Sequence, residues 1–520
     1  MKYIIGNDRK QTAIFPLSME ESIDKDHEVR IIDLFVDSLD IEKMGFSVDQ
    51  GESRKLSGGR PAYHPKDLLK LYIYGYLNKI RSSRDLEKET KRNIEVIWLL
   101  KGLSPDHNTI SNFRRDNPDS IHKVFRSTVE IAKHFELIGG KLIAGDSTKL
   151  RAQNSKKNNF NPKKIERHIE YIDGKLSEYE SQLSQADEVN RELIKQEIEK
   201  HQERKRGYEA LQKQLDDTGE TQISTSDPES RQMITRNNIT EVAYNIQTTV
   251  DEENYIPIDY KVTNENDSKA MGEMLQRAKE VLGRNEFTAL YDKGYHTGSE
   301  FKTAADLGIE VLVAIPRAAS NAPNKDYNVE HFEYKKEGDF YICPQGKELH
   351  TTGTWHEAKT YKFKRYTTKE CMSCPVKDQC SKAKYGKGIQ RSEYQEYINN
   401  NRERIEANKD YYRKRQTIVE HPYGTIKRQW GFSYIMTKQT MNRAAADVGL
   451  IFTAYNVRRL INLIGIEALG IYLKQVLLYF SALISIHRSK ISQFKLTIFL
   501  QIISHNNIRY SQKGLSLVII

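Results

Sequence analysis

Cysteine and long apolar runs are both scarce in this chain. Four cysteines among 520 residues cannot build a disulfide scaffold, so a reducing cytosol is the expected compartment. Residues 1–10 lack the ~7–15 consecutive apolar residues of a signal peptide. The longest charge-free apolar run, at residues 476–486, falls short of the ~18 residues of a membrane helix. The sequence therefore predicts a cytoplasmic protein with no membrane span.

Glycine and proline are also few, at 29 and 13 residues, which excludes collagen-like and linker-dominated architectures. Aromatic residues make up 9% of the chain, which is too many for a wholly disordered protein. The length of 520 residues predicts several modules, because one domain takes ~150 residues.

The formal net charge is +10 and the pI is about 9.0. A basic protein favours a polyanionic partner, and nucleic acid before a membrane surface, because no amphipathic anchor is visible. The alternative is a mildly basic, solvated surface. Residues 466–520 hold six Lys or Arg against one Glu and supply about half of the excess, so charge alone favours nucleic acid only slightly.

Helical periodicity begins near residue 60, with apolar residues at helical spacing from Leu68 to Leu77 and further short helices near residues 82–92 and 104–115. Residues 52–92 hold eleven Lys or Arg against five Asp or Glu. Consecutive short helices with a basic surface are typical of helix-turn-helix DNA-binding modules. Arg114 and Arg115 would then contact phosphates. A solvated helical bundle is the competing interpretation.

Strand patterns alternate with helices after residue 140, which predicts an α/β domain with a mixed sheet flanked by helices. The five strands are expected at residues 142–150, 242–250, 255–262, 287–291 and 309–315. Between the first two, apolar residues spaced by four and three predict a coiled-coil helical hairpin inserted at residues 163–217. Residues 316–400, which contain all four cysteines, are expected to form an irregular insertion.

Three carboxylates could carry chemistry. Asp146 and Asp292 each follow an apolar strand, and Glu420 belongs to a predicted helix. Carboxylates at neighbouring strand ends can share Mg²⁺, which prefers oxygen ligands, and a third from a helix would complete a two-metal site. Strand-end aspartates are also common turn formers, so neither aspartate is decisive alone.

The segments around these carboxylates resemble a known family. Residues 145–152 (GDSTKLRA), 291–296 (YDKGYH) and 419–427 (VEHPYGTIK) look like the three DDE blocks of bacterial insertion-sequence transposases, closest to the IS1182-type branch of the IS4/IS5 assemblage. The resemblance extends from about residue 60 to about residue 463. It includes the basic N-terminal helices and both insertions.

The resemblance implies an RNase H-like catalytic domain at residues 136–463 after a helical DNA-binding domain at residues 1–135. Asp146, Asp292 and Glu420 would bind two Mg²⁺ or Mn²⁺ ions. Such enzymes cleave double-stranded DNA at the element's terminal repeats and join the freed 3′-hydroxyl to target DNA, a reaction that needs charge neutralisation and in-line positioning. A homodimer in the bacterial nucleoid is the expected form. No role is predicted for residues 464–520.

Basic residues around Glu420 are candidates for phosphate contacts. The related IS4 signature has an Arg four residues before the Glu and a Lys seven residues after it. Lys427 fits, but Gln416 occupies the Arg position. Either Arg415 serves after a shift of one residue, or Arg413 takes the role, because Arg413, Glu420 and Lys427 share one helical face.

The cysteines follow the spacing Cys343, Cys371, Cys374 and Cys380. One CxxC pair with two further cysteines could bind a structural Zn²⁺ through four thiolates. The spacing is not that of two paired CxxC motifs, and the alternative is reduced thiols in a loop-rich insertion.

Two other functions compete with a transposase. A decayed or domesticated DNA-binding protein would keep the fold and lose the reaction; the three intact carboxylates argue against it and the unusual tail argues for it. A metal-dependent nuclease without strand transfer would use the same metals, so only joined products distinguish it.

Overall fold

The computed structural model describes residues 18–47, 61–185, 187–235, 239–316 and 322–479. The chain divides into two compact units. One is assigned Met1–Gly75, Arg84–His107 and Leu460–Ile520, and the other Tyr76–Ser83 and Asn108–Arg459. The second unit contains the three predicted carboxylates and the four cysteines. Most of the predicted tail, from residue 480 onward, lies outside the described residues.

Short helices follow one another through the N-terminal region, as the sequence predicts. They are α1 (Glu28–Asp37), α2 (Pro65–Leu77), α3 (Ser83–Arg92), α4 (Ile94–Leu99), α5 (His107–Asp116) and α6 (Pro118–His134). Within the first unit, the buried ammonium of Lys70 lies 2.6 Å from Asp33 and 3.0 Å from Asp37. These ion pairs join α2 to α1, because a buried charge needs partners.

A mixed sheet is the core of the second unit. The strands up to residue 313 are β1 (Leu142–Arg151), β2 (Asn159–Phe160), β3 (Ile223–Ser224), β4 (Arg231–Ile234), β5 (Thr240–Asp251), β6 (Pro257–Thr263), β7 (Thr288–Tyr291) and β8 (Glu310–Val313). The sheet has the order β4-β5-β1-β7-β8, and β6 also pairs with β5. β1 is antiparallel to β5 and parallel to β7, and β7 is parallel to β8. The five predicted strands and the mixed sheet are confirmed.

Helices cover the sheet because each has one apolar face. They are α9 (Met271–Leu282), α10 (Gly298–Asp306), α12 (Gln395–Ala407) and α13 (Lys409–Tyr423). Ile418 and Val419 of α13 pack in one buried cluster with Leu142, Ala144 and Leu290 of the sheet. The core therefore fixes α13 against the two strands that precede Asp146 and Asp292.

The insertion after β1 is a pair of long helices, α7 (Pro162–Gln185) and α8 (Glu188–Thr218). They run antiparallel, since Lys205 bonds Asp173 at 2.6 Å and the rings of Tyr179 and His201 lie 5.6 Å apart. The structure has a pair of antiparallel helices where the sequence predicts the hairpin, and coiled-coil packing between them stays a prediction. A buried cluster of Phe160, Ile165, Leu215 and Ile223 anchors its base.

The expectation of an irregular insertion at residues 316–400 is wrong. Five antiparallel strands form a second sheet with the order β13-β12-β11-β10-β9: β9 (Glu333–Lys335), β10 (Phe340–Ile342), β11 (Glu348–Glu357), β12 (Lys362–Thr367) and β13 (Ile389–Ser392). A short helix, α11 (Lys377–Cys380), precedes β13. These strands lack strong apolar alternation because β11 is largely exposed, so the sequence shows no clear period of two.

The last long helix is α14 (Met441–Ile464). Within the described ranges, no single helix is long and apolar enough to cross a membrane. By length and composition only, α14 and the helix Ile466–Tyr479, bent by 114°, pass the test as a pair. Most side chains of α14 between residues 444 and 457 are buried in the protein, which is the pattern of a core helix.

Candidate active site

Asp146 and Asp292 occupy equivalent places on two neighbouring strands. In the parallel register of β1 and β7, Ala144 lies opposite Leu290, and each aspartate comes two residues later. Side chains two residues apart share a face of a strand, and adjacent strands are ~4.8 Å apart. The two carboxylates therefore lie side by side at one edge of the sheet.

The carboxylate of Asp146 is poorly compensated. Its Oδ1 accepts from the N–H of Ser147 at 2.8 Å, and its Oδ2 lies 3.4 Å from Nη1 of Arg415. Burial raises the pKa of Asp146 to about 6, Arg415 opposes this rise, and Asp292 and Asp267 add to it. A buried carboxylate beside other carboxylates gains from any additional cation.

Asp292 also closes the turn after β7. Its Oδ1 accepts from the N–H of Gly294 at 2.7 Å. A Cβ at Gly294 would lie 2.9 Å from this oxygen and 3.5 Å from Oδ2 of Asp267, so glycine lets both carboxylates approach this turn. The turn-forming role and the proximity to Asp146 therefore coexist in Asp292.

Asp267 is a further carboxylate at this edge that sequence reasoning missed. Its Oδ1 accepts from the amides of Asn245 at 2.7 Å and Gln247 at 2.8 Å, and its Oδ2 lies 3.3 Å from Nζ of Lys149. Burial raises the pKa of Asp267, but Lys149 and these hydrogen bonds outweigh burial and hold it below its usual value. Because its oxygens already have partners, Asp267 orders Lys149 beside the site. In the sequence, Asp267 looks like an ordinary helix start.

Two tyrosines fix α13 beside the paired aspartates. The hydroxyl of Tyr423 donates to the carbonyl of Asp146 at 3.3 Å, and that of Tyr412 donates to the carbonyl of Tyr291 at 2.9 Å. The first bond joins α13 to β1 at Asp146 itself, and the second joins α13 to β7 at the residue before Asp292.

Glu420 lies on this helix three residues before Tyr423. Its side chain is exposed, and its Oε1 accepts from Nε2 of Gln416 at 2.9 Å. The structure thus brings the helix of Glu420 to the two aspartates, while the carboxylate itself bonds along its own helix. Glu420 would have to turn toward the sheet to share an ion with Asp146 and Asp292.

Of the two arginines weighed for the phosphate role, Arg415 lies at the site. Its guanidinium is largely buried and faces Asp146, whereas Arg413 is exposed and pairs with Asp410 at 2.8 Å. Arg413 and Glu420 therefore share one face of α13, and Arg415, which contacts Asp146, lies on a different face.

Lys427 bonds to the same strand as Asp146. Its Nζ donates to Oγ1 of Thr148 at 2.9 Å and to the carbonyl of Lys149 at 3.2 Å. It belongs to a π-helical turn, Gly424–Gln429, a rare geometry that is frequent at functional sites. This turn follows α13 directly and places Lys427 against β1.

The prediction that Arg114 contacts DNA is wrong for this structure. Its side chain is only 4% exposed, and its Nη1 donates to the hydroxyl of Tyr76 at 2.8 Å and to Asp447 at 3.3 Å. A buried, paired guanidinium cannot reach phosphates. Arg115 is 43% exposed and pairs with Asp116, so its role stays a prediction.

The four cysteines, separated by up to 37 residues in the chain, line one cavity of about 30 Å³. All are free thiols. The N–H of Lys347 donates to Sγ of Cys343 at 3.3 Å. Burial raises the pKa of the Cys380 thiol, Lys387 opposes this, and the other three cysteines add to it. A Cβ at Gly386 would lie 2.2 Å from Cβ of Cys371, so only glycine allows this approach.

Neither the three carboxylates nor the four cysteines are grouped closely enough to form a complete metal site. Within the described part of the chain, no three His, Cys, Asp or Glu side chains are gathered so that they could hold a metal. The donor types nevertheless fit their ions, since carboxylates suit Mg²⁺ or Mn²⁺ and thiolates suit Zn²⁺. Metal binding at either place requires side chains to turn inward.

Two family models match the sequence. One, described as a transposase domain of the DUF772 type, matches residues 17–116. The other, described as a transposase DDE domain, matches residues 342–461, which contain Glu420 and the four cysteines. Together, the two matches indicate an insertion-sequence DDE transposase.

Curated protein sequences offer no match to this transposase. One solved structure, a cryo-EM structure of a piggyBac transposase synaptic complex with hairpin DNA, has a TM-score of 0.28 and 9% identity over 94% of this chain and 87% of that chain. At these values the likeness carries no argument. The assignment to the transposases depends on the two family models.

Proposed function

We propose that this transposase cleaves the terminal inverted repeats of its own insertion sequence and joins the freed 3′-hydroxyl to target DNA, with Asp146, Asp292 and Glu420 as the ligands of two Mg²⁺ or Mn²⁺ ions. The single observation that carries the proposal is the register of β1 and β7, which sets Asp146 and Asp292 side by side. The mixed sheet, with β5 antiparallel and β7 parallel to β1, supports an RNase H-like core.

The reaction is a pair of phosphoryl transfers. In the first, water attacks the phosphorus at the element's end and the 3′-oxygen leaves as a hydroxyl; in the second, that hydroxyl attacks a target phosphodiester. When bound, two divalent cations neutralise the charge on the attacking and leaving oxygens. Arg415, released from Asp146, becomes available to a phosphate, and Lys149 stays oriented by Asp267. Because an insertion sequence has two ends to bring together, we expect a homodimer. We expect the reaction to take place in the bacterial cytoplasm.

The first test measures nicking of the element's flanking DNA by purified protein with Mg²⁺ or EDTA. We expect metal-dependent nicks at the element's ends, reduced about 10²-fold or more in Glu420→Ala, because a lost metal ligand costs several kcal/mol and each 1.36 kcal/mol is tenfold in rate. Asp410→Ala, an exposed carboxylate of the same helix, is the matched control and should nick normally.

Each outcome of this test separates the candidates. Joined products in a reaction with target DNA identify a transposase, and nicks without joined products identify a nuclease. DNA binding without metal-dependent nicks in the wild type contradicts the proposal and favours a decayed DNA-binding protein. Normal nicking by Glu420→Ala removes Glu420 from the site.

We also propose that Cys343, Cys371, Cys374 and Cys380 bind one structural Zn²⁺. The support is that all four cysteines line one cavity and that an amide donates to Sγ of Cys343. Four protein ligands leave no open position, so the ion would hold the second sheet together and take no part in the reaction.

Metal analysis tests the zinc site without an activity assay. We expect about one Zn²⁺ per chain in the wild type and in Ser373→Ala, and none in Cys374→Ser, because three thiolates bind Zn²⁺ less well than four. Chelation should lower the unfolding temperature of the wild type and leave that of Cys374→Ser unchanged. A wild-type protein without zinc, unaffected by chelator, contradicts the assignment.

A further inference from the structure

The base of the α7–α8 hairpin carries positive charge that has no acidic partner. Lys156 and Lys157 precede β2, Lys163 and Arg167 lie on the first two turns of α7, and Arg204 lies on α8; all five are exposed. We call these residues the hairpin-base cluster. Within the described chain, none of the five forms an ion pair.

The outer part of the same hairpin differs. Lys175, Lys195 and Lys200 pair with glutamates three residues away, at 2.7, 3.8 and 2.8 Å, and Lys205 pairs with Asp173 at 2.6 Å. An ordinary solvated helix neutralises its lysines in this way. Arg191 and Arg206 also form no ion pair among the described residues, but the five unpaired cations of the base are the larger group.

The hairpin-base cluster sits on a rigid support. Nζ of Lys164 donates to the carbonyls of Lys156, Lys157 and Asn159 at 2.8, 3.0 and 2.7 Å, which pins the segment before β2. This ammonium also lies 4.3 Å from the ring centre of Phe160. The ammonium of Lys164 therefore stabilises the local backbone, and this backbone carries Lys156 and Lys157 with their side chains exposed to solvent.

A pair of stacked rings completes this support. His168 and Tyr208 have ring centres 4.8 Å apart and planes at 1°. Burial lowers the pKa of His168, and the nearby charges of Lys164, Arg204 and Arg167 lower it further. His168 is therefore neutral at neutral pH, and the positive charge of this surface comes from lysine and arginine.

We propose that the hairpin-base cluster binds the phosphate backbone of double-stranded DNA. Lys156 is ten residues from Asp146 along the chain, so it lies within ~35 Å of that carboxylate. This span equals about ten base pairs at 3.4 Å per step. A duplex that is held at the carboxylates and runs toward the hairpin would reach the cluster within about one helical turn. The inference rests on the proposed function, because the DNA that contacts the cluster is the duplex that the carboxylates are proposed to cleave.

The test compares two triple variants of the full chain, which remove equal charge from the hairpin-base cluster and from the outer part of the hairpin. Lys156→Gln, Lys163→Gln and Arg167→Gln neutralise the cluster; Arg191→Gln, Lys195→Gln and Lys200→Gln neutralise the outer part. Affinity for a 40-base-pair duplex is measured against KCl concentration. We expect the first variant to bind at least about tenfold more weakly at 0.1 M salt, with a slope of log K against log salt shallower by about 2.7, since each phosphate contact contributes about 0.9.

The control variant should match the wild type in affinity and slope. Equal binding by both triple variants overturns the proposal, while wild-type cleavage of element ends in the same preparation leaves the proposed function standing. A wild type that neither binds nor cleaves duplex DNA contradicts both. Weakened binding of RNA of equal length, with duplex affinity unchanged, also overturns it. Unchanged unfolding temperatures show that the exposed substitutions leave the fold intact.

Discussion

Asp146→Asn is expected to abolish metal-dependent DNA cleavage, by about 10³-fold or more, while the protein stays folded. Asparagine keeps the shape of the side chain and an oxygen that accepts the Ser147 N–H, but it removes the charge. A divalent ion would then lose an anionic ligand, and the loss of several kcal/mol of charge stabilisation corresponds to this factor. Single-turnover nicking of element ends measures the rate, and calorimetry with Mn²⁺ measures ion binding.

The control for this change is Asp251→Asn, which alters another buried carboxylate of the same sheet. Asp251 accepts from the N–H groups of Gly139 and Gly140 at 3.1 and 2.8 Å, so it serves the loop before β1. We expect this variant to lose stability and, where folded, to cleave DNA and bind Mn²⁺ as the wild type does. Wild-type cleavage by Asp146→Asn would remove Asp146 from the metal site.

The aspartates at this site could be predicted because their signal is local. Each follows an apolar strand, and parallel neighbouring strands end at the same edge of a sheet. The pairing of Ala144 with Leu290 also requires the strand order and the register, and the alternation of strands and helices gives neither. Composition and periodicity are therefore sufficient for the strands and the two long helices, whereas the choice of these two aspartates depends on the family resemblance.

The contacts made across the fold could not be predicted. Arg415 rather than Arg413 faces Asp146, because the packing of Ile418 and Val419 decides which side of α13 meets the sheet. Asp267 looks like a helix start in the sequence, and its position beside Lys149 follows from the strand pairing. The spacing of residues in the sequence does not predict contacts between residues that are far apart in the chain.

Arg114 shows the same limit most directly. A basic residue on a short polar helix resembles a phosphate ligand, but its partner Asp447 lies 333 residues away. Burial of an arginine depends on such a partner, since an unpaired buried charge costs several kcal/mol. The sequence of α5 alone contains no information about Asp447.

Asp447 is the centre of a buried polar network in the second unit. Its side chain is 0% exposed, and it lies 2.6 Å from Arg81 and 3.3 Å from Arg114. It also accepts from the N–H of Met436 at 2.8 Å and from the hydroxyl of Tyr76. Although burial raises the pKa of Asp447, the two guanidinium groups outweigh burial and hold that pKa below its usual value.

Asp447→Ala is expected to destabilise the protein by about 3–5 kcal/mol, because it leaves two guanidinium groups buried without their anion. The measurement is urea unfolding followed by far-UV circular dichroism. Asp410→Ala, which removes an exposed carboxylate paired with Arg413, should cost less than about 1 kcal/mol. Because the pKa of Asp447 is lowered in the folded state, the wild-type advantage should shrink as the pH falls below about 4.

A triple variant separates the charge from the packing. Arg81→Met, Arg114→Met and Asp447→Leu together replace the three charged members of the network by apolar side chains, and such replacements of buried ion networks are often neutral or stabilising. We expect the triple variant to recover most of the stability that Asp447→Ala loses. Arg81 also lies 4.5 Å from the ring centre of Phe432, and a methionine keeps a favourable contact with that ring. If the triple variant is as unstable as Asp447→Ala, the network stabilises the fold through its specific hydrogen bonds, and charge compensation is not the reason that these arginines are buried.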